Sequence, residues 1–356
     1  VTGPLVRAAV RRSLGRTRHV TPVLPSAATG VVAEVYRELE RDFGVLAPPI
    51  AVLSPAPHLL AASWSLLRET LVVDGAVDRP VKEAVAAAVS ASNSCPYCVE
   101  VHGSALRGLG SGAAATAIVA GRSGEVGDPR LRAVVEWAGA GGPGAGAPPP
   151  PEPFPVGHRA ELVGVAVTFQ FLNRLVNVFL EESPTPAGVP AGVRGGVRSL
   201  LARHLGAAAG RGVGPGASER GGEREEPPPD LGWAAAHPGI GGAAARVARA
   251  ADRAAGGSGL SERARSRVLD AVAVWEDVGR GPGRDWVEDL CAGLAAPDRA
   301  AARLALLTAF RSYQVDDRVV ADFRGHHLGD AALVDLVGWS AFTAARRVGR
   351  WMAGGG

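Results

Sequence analysis

From Val81 onward, apolar side chains fall at Val81, Ala84, Val85, Ala88 and Val89, with Ser92 closing the stripe, the three-and-four spacing of a half-buried helix. The same spacing recurs through most of the 356 residues, and no run alternates in the manner of a strand. The expected fold class is therefore all-α, a helical bundle. A hydrophobic content of 47% against 21% charged residues supports a core of useful size, spread over about two domains.

Asn93-Ser94 interrupts the periodic segment, and Cys95-Pro96-Tyr97-Cys98 follows at once. Ser94 is expected to cap a second helix, and Pro96 suits its first turn, where a missing N–H costs nothing. The cysteine pair thus opens a helix, whose N-terminal partial positive charge favours thiolate over thiol. Three residues apart on a helix, Cys95 and Cys98 are neighbours at ~5 to 6 Å between Cβ atoms, close enough for a small adjustment to join them.

His102 lies one turn beyond Cys98 on the same face, where its ring can relay a proton to or from the sulfur. Glu83 would stand ~18 Å from Cys95 on one straight helix, too far to take part. If the chain instead folds back at Asn93-Ser94, Glu83 and His102 face each other across the pair, giving a Glu83, His102, Cys98 line. Val101, Ala105, Leu106 and Leu109 would desolvate it, and because burial alone raises a thiol pKa, a nearby base is needed.

Together, Glu83, Cys95-Pro96-Tyr97-Cys98 and His102 resemble the active-site signature of the alkylhydroperoxidase D and carboxymuconolactone decarboxylase-like family, on its peroxidase-related side. The Phe-x-x-x-Asn-Arg helix at Asn173-Arg174 and the Arg79, Lys82-Glu83 entry agree with it. The resemblance is good over Val31 to roughly Glu182 and weak over Trp233 to Met352. It implies a helical bundle of that type and a peroxidase with peroxiredoxin-like activity, acting on an alkyl or hydrogen peroxide. In that role Cys98 attacks, Cys95 resolves it as a disulfide, and Glu83 with His102 forms the relay. A thioredoxin-like comparison favours Cys95 as nucleophile instead. Tyr97 stands where alkylhydroperoxidase D carries a histidine, which leaves the proton path open. The resemblance further implies an external dithiol reductant, lipoyl-type or thioredoxin-like, no cofactor, and a homo-oligomer.

Landmarks repeat along the chain, pointing to an internal duplication. Pro57 to Ala62 has a counterpart in Pro238 to Ala243, Asp128-Pro129-Arg130 in Pro297-Asp298-Arg299, and Phe169 to Leu175 in Phe342 to Val348. The expected organisation is a basic N-terminal segment (1–29), a catalytic repeat (30–182), a Gly/Pro-rich connector around a short helix at Val197 to Leu205 (183–232), and a degenerate second repeat (233–356). In that alignment Glu83, Cys95, Cys98 and His102 fall opposite Arg267, Gly279, Pro282 and Trp286, so the second repeat lacks the machinery.

A net charge of +3 with no basic stripe and aromatic interleaving argues against nucleic acid as a partner. No membrane span or secretory leader is expected, and three cysteines rule out a disulfide scaffold, so the expected compartment is the cytoplasm. Zinc is the competing reading of the pair: Cys95, Cys98 and His102 supply three ligands, and His158, His326 or Asp74 would have to supply a fourth. The alternative functions are a non-catalytic thiol sensor or metal-binding interaction protein, and, less in keeping with the pair, a lactone decarboxylase. Cys291 is read as a core hydrophobe on a helix from Asp285 to Leu294, and Asn173 and Arg174 as bundle-pairing residues that do not reach substrate.

Overall fold

A computed structural model describes residues 2–142, 148–185, 191–215, 225–275 and 283–354. The first half forms α1 (Thr2–Ser13), α2 (Gly30–Glu38), α3 (Pro48–Ala51), α4 (Pro57–Leu67), α5 (Arg79–Ser92), α6 (Pro96–Gly108), α7 (Gly112–Val119), α8 (Pro129–Ala138) and the long α9 (Arg159–Phe179). There follow α10 (Ala191–Ala209), α11 (Pro238–Gly257), α12 (Glu262–Val274), α13 (Asp285–Leu290), α14 (Ala296–Arg311), α15 (Asp317–Arg324) and α16 (Asp330–Met352). Among the described residues no strand is formed, and the all-α class is observed.

Almost every residue of α9 is buried, which places this helix at the centre of the bundle. It packs on α5 to one side and α16 to the other. Residues 156–179 are long and apolar enough to cross a bilayer, but 94% of the apolar window is covered by the rest of the protein, as in a core helix. Lys82, the only lysine, fixes α5 against α9: its Nζ meets Glu161 at 2.7 Å and donates to the Val73 carbonyl at 3.1 Å. Glu161 also accepts from the Ala76 N–H at 2.7 Å, tying down the loop that leads into α5.

The reversal at Asn93-Ser94 is present. Ser94, expected as a cap, takes the left-handed conformation (φ 52°) that turns the chain, so the N-cap position of α6 passes to Cys95. The helix around Cys291 ends at Leu290, with Cys291 as its buried C-cap. Gly279 and Pro282 lie outside the described residues. By packing, the helix that stands on α16 as α5 stands on α9 is α14, whose chain turns at Ser312–Gln314 into α15. α14 and α15 thus form a second hairpin against α16.

The basic N-terminal segment is anchored. Arg7 donates to the carbonyls of Gly44 and Glu40 at 3.0 Å, Arg11 pairs with the Glu40 carboxylate, and α1 packs on α10. Within the stretch read as a connector, α10 is longer than expected and lies flat on α6. A Cβ built on Gly206 would fall 2.4 Å from the Gly108 carbonyl, and one on Gly108 2.0 Å from the Ala202 carbonyl oxygen, so two glycines permit this approach. Gly206→Ala is expected to lose roughly 1 to 3 kcal/mol through overpacking. Gly196→Ala, on an open face of α10 with no atom in the way, should gain about 0.5 to 1 kcal/mol. Urea unfolding of both variants checks the pair, and equal stability of Gly206→Ala and wild type would refute the close contact.

Candidate active site

Folding α5 back onto α6 brings the four expected residues together. Glu83 Oε2 lies 2.7 Å from His102 Nδ1, and Glu83 Oε1 accepts from Arg79 Nε at 2.8 Å. The Cys95 and Cys98 sulfurs are 2.6 Å apart, both as free thiols. All four side chains are withdrawn from solvent: Glu83 and Cys95 are 1% exposed, Cys98 3% and His102 5%. The His102 ring rests edge-on against Phe169 at 4.4 Å between centroids, which fixes its orientation.

Burial opposes the charge on Glu83, yet Arg79 and His102 together hold its carboxyl below the usual glutamate range, so it is ionised at neutral pH. An ionised carboxylate on Nδ1 orients the imidazole and leaves its other nitrogen for chemistry. Burial, together with the adjoining Cys95 thiol, pushes Cys98 well above the ordinary thiol range. The helix entrance therefore does not by itself supply a thiolate, and a proton acceptor is required. Tyr97, next to both sulfurs, keeps its hydroxyl proton for the same reason of burial.

Asn173, expected only to pair within the bundle, reaches the site. Its amide acts on the Cys98 thiol in the downward direction, against the larger upward push of burial. The same amide donates to Ser90 Oγ at 3.0 Å and accepts from Asn93 Nδ2 at 3.1 Å, and one turn on Asn177 Nδ2 donates to the Asn93 carbonyl at 3.1 Å. Its signal in the sequence is a run of polar side chains, Gln170, Asn173, Arg174 and Asn177, within a largely apolar helix. Arg174 does stay within the bundle, donating to the Ala309 and Gln170 carbonyls.

Cys98 and His102 open onto a pocket walled by apolar side chains, among them Val10, Phe43, Leu67, Leu172 and Leu201, with a free volume of about 70 Å³. Cys95 is absent from that lining and instead borders a separate, wider groove between α6 and α10. Among the described residues no group of three or more His, Cys, Asp or Glu is placed to hold a metal ion. Cys95, Cys98 and His102 thus gain no fourth ligand from His158, His326 or Asp74.

The sequence profile of the carboxymuconolactone decarboxylase family matches residues 58–140, the span that holds Glu83, Cys95, Cys98 and His102. Over 334 residues the chain is 42% identical to a protein named alkyl hydroperoxide reductase from Mycobacterium tuberculosis, covering 94% of each.

Because the Glu83 carboxyl is held low in the folded protein, the stability it contributes is complete above about pH 4.5, its ordinary value, and is lost as pH falls through the depressed one. Glu83→Gln should lower unfolding free energy at pH 7 by roughly 3 kcal/mol, the cost of stripping one partner from a buried ion group. The gap to wild type should narrow in urea titrations taken below that range. A variant as stable as wild type at pH 7 would contradict the assignment.

Proposed function

The chain belongs to the carboxymuconolactone decarboxylase family, among its alkylhydroperoxidase D-like members, and from that premise we propose that it is a thiol peroxidase reducing alkyl hydroperoxides or hydrogen peroxide. The observation that carries this reading is an ionised Glu83 bonded to His102, with His102 and Cys98 sharing one apolar pocket. Such walls suit the organic part of an alkyl hydroperoxide, while the imidazole, with Tyr97 also in the lining, offers polar contact to its oxygens.

In the proposed cycle His102, steadied by Glu83, takes the Cys98 proton. The thiolate attacks the terminal peroxide oxygen, the O–O bond breaks, and the leaving alkoxide takes the proton back and departs as an alcohol. Cys98 is left as a sulfenic acid. The Cys95 thiol, already against Cys98, attacks that sulfur; an S–S bond forms and water leaves. Asn173 steadies the Cys98 sulfur while it is anionic. An external dithiol, lipoyl-type or thioredoxin-like, then restores both thiols. A reducing compartment such as the cytoplasm maintains that supply, and a homo-oligomer is part of the proposal.

Cys98→Ser should abolish peroxide consumption with helix content intact, and Cys95→Ser should stop the cycle at a sulfenic acid on Cys98 that a dimedone label locates by mass. Glu83→Gln should slow oxidation by about 10²-fold, the scale of a displaced proton relay. Steady turnover with excess dithiol supports the peroxidase, whereas one stoichiometric oxidation without turnover would favour a sensor. Wild-type rates in both Cys98→Ser and Glu83→Gln would end the proposal.

A further inference from the structure

The two sulfurs of the site are served from different sides. Cys98 shares its apolar pocket with His102, while Cys95 lies on the floor of the groove between α6 and α10, a wide opening of about 1090 Å³. The character of this groove is the opposite of the pocket's. Arg107, Arg198 and Arg203 line it, all exposed, against one carboxylate, Glu100. Glu100 is already engaged by Arg198 at 3.0 Å, Ser183 at 3.0 Å and Thr185 at 3.3 Å. Arg107 and Arg203 make no ion pair among the described residues, so the groove carries uncompensated positive charge; the Arg107 guanidinium folds back to the level of Gly103, about 12 Å along α6 from Cys95.

We propose that this groove is the entrance for the reductant and that it selects a dithiol carrying a carboxylate, which Arg107 and Arg203 receive while a thiol reaches Cys95. The proposal rests on the dithiol cycle above and assigns its second half to a different face of the protein. A thiolate of the bound reductant attacks Cys95, the Cys95–Cys98 bond breaks, and Cys98 leaves with the electron pair and is protonated through His102. The second thiol of the reductant then attacks its own sulfur in the mixed disulfide and releases Cys95 as a thiol. Two electrons and two protons pass to the protein, and the reductant departs as a disulfide. Attack at Cys95 also makes Cys98 the departing sulfur, and Cys98 shares its pocket with His102, which can supply the proton it needs to leave.

The test separates the half-reactions. The disulfide is formed with diamide, without peroxide, and its reduction is followed by stopped flow with dihydrolipoic acid and with dihydrolipoamide, whose thiols match and whose remote charge differs. Dihydrolipoic acid should react about tenfold faster at low ionic strength, with the preference falling as salt rises. The Arg107→Gln, Arg203→Gln double variant should erase that preference, and Ser199→Trp, narrowing the groove, should slow both dithiols, while oxidation of the reduced protein by cumene hydroperoxide stays within about twofold of wild type in each. A preference that survives the double variant, or oxidation that falls together with reduction, overturns the proposal. If peroxide fails to oxidise the pair but the dithiol results hold, the peroxidase reading fails and the groove assignment stands.

Discussion

The site depends on one reversal of the chain. Without the turn at Asn93-Ser94, Glu83 and His102 would be separated along a single rod; with it, they are in hydrogen-bond contact. The turn is energetically awkward, since Ser94 is left-handed while Ser90 is buried and Asn93 half-buried against α9. Asn173 and Asn177 resolve this by bonding Ser90, Asn93 and the Asn93 carbonyl, so groups that would otherwise be orphaned in the core become the clamp that sets the hairpin. Asn173 also works against the upward shift of the Cys98 thiol, so the side chain that sets the turn is near enough to influence the sulfur.

Buried charge follows the same economy. Lys82 with Glu161, and Arg79 with Glu83 and His102, keep ions in the interior only as paired groups, which limits the desolvation each would otherwise suffer. The sulfurs are treated differently. With 1.36 kcal/mol at stake per pKa unit, a permanent thiolate at Cys98 would be a standing cost in this apolar setting. Leaving Cys98 protonated avoids that standing cost, and the Glu83-oriented imidazole lines the same pocket as the thiol.

Local pattern made much of this readable. The helical spacing, the break at Asn93-Ser94 and the Cys95, Cys98, His102 intervals all lie within about two helices, and the reach of Glu83 needed only the assumption that the chain turns there. What the sequence withheld was non-local. Asn173 is far along the chain, and nothing near it says that its amide influences a sulfur. The wall supplied by α10 was hidden because two glycines that allow helix contact look, in sequence, like the glycines of a linker. The passage of the N-cap from Ser94 to Cys95 follows from which residue takes the left-handed turn, a choice made by packing.

The C-terminal half holds a second helical hairpin, α14 and α15, packed on the other side of the central helices. Laying α14 and α15 on α5 and α6 with Asp298-Arg299 on Asp78-Arg79 sets Arg303 opposite Glu83 and Asp322 opposite His102. Arg303 Nη1 and Asp322 Oδ2 are 2.6 Å apart, so the cross-hairpin contact survives as an ordinary, partly exposed ion pair. The cysteine positions fall on buried Val315 and exposed Arg318. The α14–α15 turn receives the Arg174 and Asn177 side chains of α9 at the Ala309 carbonyl and Ser312 Oγ, as the Asn93-Ser94 turn receives Asn173 and Asn177. A central helix that must satisfy both turns at once cannot shift toward either, and that rigidity is what a second hairpin without thiols contributes to the first.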